Sequence, residues 1–183
     1  MRPRTHALIT EKIVDSLNIS GDKRNGIIKG ARDADTILGN ITLGHYFTAK
    51  SPEMSGALHN IMEQLKRDDP IAMGVACHLC QDVALPVHSA PLEFLHHIQW
   101  EGYIDKHLAA LMEDVYVATD VSYYPELLLI YNEISNRSYS MLDGMIKAWN
   151  TDKPAFNKLA CKCLQAGVNG SVFILENWDR IKK

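Results

Sequence analysis

The chain has 183 residues, of which 46% are apolar and 22% are charged, and its formal net charge is −3. A chain of this length can bury one hydrophobic core, so we expect residues 1–183 to form a single domain. The net charge gives no general attraction to nucleic acid or anionic membranes, although the first fifth of the chain is locally basic.

Two features of the sequence bear on its location. No stretch approaches the roughly 18 consecutive apolar residues of a membrane-spanning helix, so we expect no stable insertion into a membrane. The residues from Met1 to Asp15 mix charged and apolar side chains and contain no continuous hydrophobic region of a secretion signal. This predicts a cytoplasmic protein, or a secreted one if the sequence is already trimmed to its mature form.

Apolar residues recur every three or four positions along most of the chain, and no stretch alternates as a strand would, which predicts an all-α helical bundle. Asp69 and Ser51 each precede a proline, a combination that favours a helix start. The first helix should close at a turn from Asn18 to Gly21, and Pro86 should end a later one. Gly167 and Gly170 are expected weak points of the last helix. In chain order, we predict helices over residues 5–17, 24–38, 52–66, 70–85, 92–115, 125–149 and 154–179.

The four cysteines form a C-x-x-C pair at Cys77 and Cys80 and a C-x-C pair at Cys161 and Cys163. Such pairs bind metals or exchange electrons in other proteins. Here both pairs lie within helical patterns and lack the glycine-rich turns of a zinc ribbon. We therefore predict that these cysteines are packed, reduced thiols.

One group of residues has the composition and spacing of a metal site. His78-x3-Asp82-x5-His88 is followed, after eight residues, by His97-x3-Glu101. On a helix, residues four apart lie on one face about 6 Å apart along the axis, so each His–acid pair can offer two ligands to one ion. His88 follows the helix break at Pro86, and it can therefore fold back between the two pairs.

A single His–acid pair at this spacing is usually a surface pair that contributes a few tenths of a kcal/mol. The neighbours of His78 and Asp82 are apolar, however, which predicts a largely buried helix. An ionised carboxylate in a core costs several kcal/mol unless it is compensated, and a divalent cation would compensate it. Imidazole and carboxylate together are the ligands of hydrolytic zinc sites.

Upstream elements complete a pattern that resembles one known family. They are His6 in Thr5-His6-Ala7-Leu8-Ile9, Asp35 in Gly30-Ala31-Arg32-Asp33-Ala34-Asp35, and His45 in Gly44-His45-Tyr46-Phe47. With the two His–acid pairs and His88, this order resembles the zinc-dependent phospholipase C and P1-type nuclease family. The resemblance runs from His6 to Glu101, over half of the chain, and it implies an α-helical bundle around three zinc ions.

The resemblance also implies how the ligands are divided among two or three zinc ions. The first ion would be held by Asp35, His45, His78 and Asp82, the second by His88, His97 and Glu101, and the third by His6 with Asp82 bridging. In the family the third ion also takes the amine and carbonyl of the first residue, which here is Met1. Asp33 is an alternative to Asp35.

The chemistry implied by the resemblance is hydrolysis of phosphate esters. Zinc ions would activate a shared water for attack on phosphorus, with Asp35 orienting or deprotonating that water and Asp82 bridging two ions. Trp100 and Tyr103 flank ligands and could contact substrate, although core packing is favoured for them, as it is for Tyr46 and Phe47. His96, beside His97, is expected in an outer shell or in solvent, and His59 and His107 are expected to be ordinary histidines.

The sequence leaves open whether the substrate is a phospholipid, a nucleic acid or a small phosphate ester, and it does not indicate the oligomeric state. Two other functions use similar residues. A non-catalytic helical metal protein would need the same ligands. A helix-bundle di-metal oxidoreductase typically pairs Glu-x-x-His motifs, which this sequence lacks.

Overall fold

The structure is a computed structural model, and it describes residues 1–39, 56–86, 94–118 and 127–181. Within these ranges the chain forms helices and no strand, which confirms the prediction of an all-α protein. No helix in these ranges is both long and apolar enough to cross a membrane. The elements are α1 (Pro3–Ser16), α2 (Gly21–Ile37), α3 (Gly56–Leu65), α4 (Pro70–Val83), α5 (Phe94–Leu111), a 3₁₀ turn (Met112–Asp114), α6 (Leu127–Thr151) and α7 (Lys153–Ile181).

Local sequence signals account for several helix boundaries. The Asp69 carboxylate accepts a hydrogen bond from the Ala72 N–H at 2.8 Å, so α4 begins with the predicted cap and proline. Asn18 and Gly21 both have positive φ angles, which forms the predicted turn after α1 and lets α2 begin three residues earlier than expected. The predicted start of a helix at Pro52 lies outside the described residues.

Helix α4 lies at the centre of the fold, and every one of its residues from Ala72 to Val83 is buried. Helices α2, α3 and α7 pack around it most extensively, and α1 also contacts it. A helix that is buried on all sides is usually apolar throughout, yet α4 carries His78, Gln81 and Asp82 into the interior. These polar residues therefore need internal partners.

The packing of α2 against α4 depends on two glycines. A Cβ atom at Gly74 would lie 2.0 Å from the Ile27 carbonyl oxygen, and a Cβ at Gly30 would lie 2.1 Å from the Ile71 carbonyl oxygen. No side chain fits in either space. The two backbones therefore touch, and this contact fixes how far α4 lies from the carbonyl groups of α2.

Helix α7 runs without interruption through Gly167 and Gly170, where the sequence suggested weak points. A Cβ at Gly167 would lie 3.0 Å from the Gln81 Cα and 3.2 Å from the Ala84 Cβ. This glycine therefore serves close packing of α7 on α4. The tertiary contact outweighs the low helix propensity of glycine.

Three of the four cysteines, Cys77, Cys80 and Cys163, are buried, and Cys161 is half-buried. Burial raises the pKa of the Cys77 and Cys163 thiols to about 12 and raises that of Cys80 as well. These groups are neutral thiols in the core, which agrees with the prediction that they serve packing.

The predicted core aromatics also pack in the interior. Trp100 is buried, and its ring centroid lies 5.5 Å from that of Phe156 in an edge-on contact. Tyr103 lies 5.4 Å from the same ring and donates a hydrogen bond from its hydroxyl to Asn157 Oδ1 at 2.8 Å. The His107 ring lies against Tyr103 in a tilted arrangement, with ring centroids 4.3 Å apart. Tyr46 and Phe47 lie outside the described residues.

Candidate metal centre

Helices α1, α2, α4 and α5 bring polar groups together around the Asp82 carboxylate. The predicted ligands that the structure places there are Met1, His6, Asp35, His78, Asp82 and Glu101. His45 and His88 lie outside the described residues. His97 lies on the described backbone of α5, but its side chain lies outside the described part.

One oxygen of Asp82 faces the start of the chain. Its Oδ1 atom lies 3.1 Å from His6 Nε2 and 3.4 Å from the Met1 amine nitrogen. The same amine donates a hydrogen bond to Glu101 Oε1 at 2.6 Å. Met1, His6 and Asp82 are all buried, so these charged and polar groups meet out of contact with bulk water.

The other oxygen of Asp82 faces helix α2. Its Oδ2 atom lies 3.1 Å from His78 Nε2, as the spacing of four residues predicts, and that nitrogen is 3.4 Å from Asp35 Oδ1. Asp33, the alternative to Asp35, instead pairs with Arg32 at 2.8 Å on the surface. The geometry therefore favours Asp35 over Asp33 as the acidic residue of this group.

Each histidine is held through its Nδ1 atom by a buried acceptor. His78 Nδ1 lies 2.9 Å from the Ala31 carbonyl oxygen, which can only accept, so Nδ1 carries the hydrogen and donates. His6 Nδ1 lies 2.9 Å from Gln81 Oε1. The Gln81 amide nitrogen donates to Thr10 Oγ1 at 3.0 Å, which directs the amide oxygen toward His6.

These contacts leave the Nε2 atoms of both histidines directed at Asp82. A neutral imidazole with a hydrogen on Nδ1 presents a lone pair at Nε2, and a carboxylate oxygen also presents lone pairs. His6 Nε2 makes no hydrogen bond despite its 3.1 Å distance from Asp82 Oδ1. A positively charged species between the two atoms would relieve this repulsion, and histidines that bind metals are held through the other ring nitrogen in the same way.

The two imidazoles stack with ring centroids 3.8 Å apart and differ in protonation. Burial, together with repulsion from His78, lowers the pKa of His6 to about 4. Burial also opposes a charge on His78, but the carboxylates of Asp82 and Asp35 outweigh it and raise the pKa of His78 to about 9. The amine of Met1 is likewise desolvated, yet Asp82 and Glu101 raise its pKa. Without a metal, the site holds His6 neutral and His78 charged at neutral pH.

Asp105 holds the first residues of α1 in place beside the site. Its Oδ1 atom accepts hydrogen bonds from the Arg2 N–H at 3.3 Å and from the Thr5 hydroxyl, and its Oδ2 atom lies 3.1 Å from Arg2 Nε. Arg2 is the N-cap residue of α1 and makes no side-chain cap of its own. Asp105 thus caps α1 from α5, one turn after Glu101, and positions the Met1 amine.

The residues that sequence reasoning missed are the supports of the two histidines. Gln81 carried a usable signal, because it is a polar residue in an apolar helix and lies three positions after His78, on the same face. Ala31 carried none, since it contributes only its backbone carbonyl. Asp105 shares a face of α5 with Glu101 and was detectable only as an acid at helical spacing.

Within the described ranges, His6, His78 and Asp82 form the group whose candidate ligand atoms all lie within 4.8 Å of one another. No protein-family model matches this chain, and no curated protein or solved structure is detectably similar to it. The resemblance to the phospholipase C and P1-type nuclease family thus has no support beyond the residues themselves and stays an expectation.

Proposed function

We propose that this protein is a zinc-dependent hydrolase of phosphate esters. The observation that carries the proposal is the shared carboxylate of Asp82, whose two oxygens face two separate groups of metal-type donors. His6 and the Met1 amine lie on one side, and His78 with Asp35 lies on the other. A carboxylate in this position is suited to bridge two cations.

The distances between the donor atoms fit zinc coordination. Zinc binds imidazole nitrogen and carboxylate oxygen at about 2.0–2.2 Å in tetrahedral sites, so two ligands of one ion are about 3.3–3.5 Å apart. The three contacts to Asp82 measure 3.1, 3.1 and 3.4 Å, and the contact between His78 Nε2 and Asp35 Oδ1 measures 3.4 Å. The two 3.4 Å distances fall within this range and the two 3.1 Å distances lie within about 0.2 Å of it, so these groups can be ligands of shared ions as well as direct ion pairs.

The charge of the site also fits divalent cations. Asp35, Asp82 and Glu101 bring three carboxylates together against the Met1 amine and the two imidazoles. A cation of charge +2 would replace the protons on His78 and on the amine, and metal binding would release those protons. By the family resemblance, His45, His88 and His97 would complete two or three zinc positions.

Bound zinc would supply a Lewis acid and an activated water, the chemistry that phosphate ester hydrolysis needs. Asp35 is the most accessible of these carboxylates, with 37% of its side chain exposed against 4% for Asp82 and 18% for Glu101. We assign to Asp35 the role of orienting or deprotonating the attacking water, because a buried carboxylate such as Asp82 cannot exchange protons with solvent as readily. Asp82 holds the site together.

The test combines metal analysis with turnover of a chromogenic phosphodiester and a chromogenic phosphomonoester. We expect two or three zinc ions per chain, hydrolysis that a chelator abolishes, and recovery when zinc is returned. Asp35→Asn should reduce turnover more than zinc content. Asp33→Asn is the matched control, because it removes an acid from the same helix that pairs with Arg32 on the surface.

The other outcomes separate the alternative functions. Stoichiometric zinc without hydrolysis of either ester would identify a non-catalytic metal protein and contradict our proposal. Two iron ions per chain would favour a helix-bundle oxidoreductase. Full turnover in Asp35→Asn would disprove the role assigned to that residue.

A further inference from the structure

A second candidate site has a lining that includes none of the predicted metal ligands. A groove with a cavity volume of about 610 Å³ separates α1 from α5, and we call it the α1–α5 groove. This volume falls in the range of sites for small organic ligands. The groove is lined by Arg2, Arg4, Thr5, Leu8, Lys12, Gly102, Asp105, Lys106, Leu108, Ala109 and Met112.

Polar contacts connect the two helices at the two ends of this groove. Near one end, Asp105 binds Arg2 and Thr5. Near the other, the Lys12 ammonium donates to the carbonyl oxygens of Met112 and Val115, both at 2.7 Å. Both connections tie the helices together without filling the space between them.

The surface between these connections is apolar. Leu8, Leu108, Ala109 and Met112 line it, and Leu8 is 44% exposed although it is a large hydrophobic residue. Arg4 and Lys12 are eight residues apart on one face of α1, so the groove is about 12 Å long. This length suits an alkyl chain of moderate size.

The rim of the groove is cationic, although the chain as a whole has a net charge of −3. Arg2 is paired with Asp105, and Lys12 is bonded to carbonyl oxygens. Arg4 and Lys106 make no hydrogen bond or ion pair within the part of the chain that the structure describes. These two cations have no counter-ion among the described residues, and beside an apolar surface they complement a ligand with an anionic head and an apolar chain.

Gly102 leaves the end of the groove beside Glu101 open. A Cβ atom there would meet no atom of the described residues within 4 Å, so no contact with them requires glycine at this position of α5. Glycine in a helix interior destabilises the helix relative to alanine. The space around this Cβ position makes residue 102 a suitable place to introduce a side chain that extends toward the groove.

We propose that the α1–α5 groove binds a single-chain amphiphilic anion of the fatty-acid class. The carboxylate lies between Arg4 and Lys106, and the alkyl chain lies against Leu8, Leu108 and Met112. This binding does not depend on the metal centre or on hydrolysis.

The experiment is calorimetric titration of the full chain with decanoate below its micellar concentration. We expect one saturable site, with acetate and octanol binding at least about tenfold more weakly, because each offers only the head or only the chain. Arg4→Gln combined with Lys106→Gln should weaken decanoate binding by about tenfold or more. Lys158→Gln combined with Lys162→Gln is the matched control, since it removes the same charge from exposed positions of α7 and should leave binding unchanged.

Gly102→Trp tests the groove by filling it, and thermal unfolding should report a folded protein that no longer binds decanoate. If this variant fails to fold, the charge variants remain decisive.

Absence of saturable decanoate binding, or equal loss in both charge variants, would overturn the proposal. Binding only to intact anionic phospholipid vesicles would also overturn it in favour of a membrane surface. Chelated protein should bind decanoate as well as the zinc-loaded protein, so this result is separable from the test of hydrolysis.

Discussion

The two sides of the Asp82 carboxylate are held in different ways. On the Oδ2 side, direct backbone contact between α2 and α4 at Gly30 and Gly74 sets the distance from Ala31 to His78. On the Oδ1 side, the donors are Met1 and His6, which depend on side-chain hydrogen bonds to hold them. The Asp82 carboxylate therefore joins two halves of the site. The Oδ2 half is fixed by core packing, and the Oδ1 half is fixed by a few polar contacts.

Because they are held by different interactions, the two halves of the site should respond differently to substitution. The Oδ2 half should be lost only when the core is disturbed, because its geometry comes from packed helix backbones. The Oδ1 half should be lost through single polar contacts, such as those of Gln81 or Asp105, while the fold persists.

The largest effect is expected from Asp82→Asn, which removes the charge shared by both halves. We expect zinc affinity and turnover each to fall by more than the roughly 10- to 100-fold that follows loss of an outer-shell partner, so that zinc content falls as well. Metal analysis and ester hydrolysis measure the two losses together. Retention of full zinc content and turnover in this variant would show that the ligand assignment is wrong.

Gly74→Ala should disturb the Oδ2 half of the site, because the geometry of that half depends on the packing of α2 against α4. Its Cβ would lie 2.0 Å from the Ile27 carbonyl oxygen, so the helices must separate, and overpacking of this kind costs about 1–3 kcal/mol. Urea denaturation measures the change. Gly102→Ala is the matched control in open space, and it should stabilise the protein by about 0.5–1 kcal/mol because alanine favours helix. Equal effects of the two substitutions would contradict this account of α2–α4 packing.

Gln81→Leu should weaken the other half with little change to the fold. The substitution removes the acceptor that holds His6 Nδ1, and loss of such an outer-shell partner lowers metal affinity by roughly 10- to 100-fold. Competition with a zinc chelator measures this affinity, and circular dichroism checks the fold. We expect the affinity for zinc near His6 to fall while the affinity for zinc near His78 is retained. Simultaneous loss of all zinc would contradict the independence of the two halves of the site.

The smallest expected effect is a pH dependence of the stability of the metal-free protein. The pKa of His78 is raised from 6.5 to about 9, so its contribution to stability is present below pH 6.5 and lost as the pH rises through 9. The pKa of His6 is lowered to about 4, so stability is lost as the pH falls from 6.5 toward 4. The Tm of chelated protein should therefore be highest near pH 6.5. A steady rise of Tm from pH 4 to pH 9 would contradict these assignments.

Much of the fold was predictable from local sequence. Asp69 and Pro70 predicted the start of α4, Asn18 and Gly21 predicted the turn after α1, and the apolar periodicity predicted the all-helical class. Gly167 shows the limit of such reasoning, because its low helix propensity suggested a weak point where α7 continues without interruption. Its role depends on the proximity of Gln81 and Ala84, which no local pattern records.

Helical periodicity and apolar neighbours were enough to predict that His78 and Asp82 share one face of a buried helix. The contacts between helices could not be predicted in this way: Met1 and His6 meet one oxygen of Asp82, whereas His78 meets the other oxygen and also contacts Asp35. Nor could it be predicted that Asp33 turns to the surface and that Ala31 and Gln81 hold the imidazoles. The physical reason is that helical spacing fixes which residues of one helix lie together, whereas contacts between helices depend on how closely their backbones pack, and here that distance is set by Gly30 and Gly74.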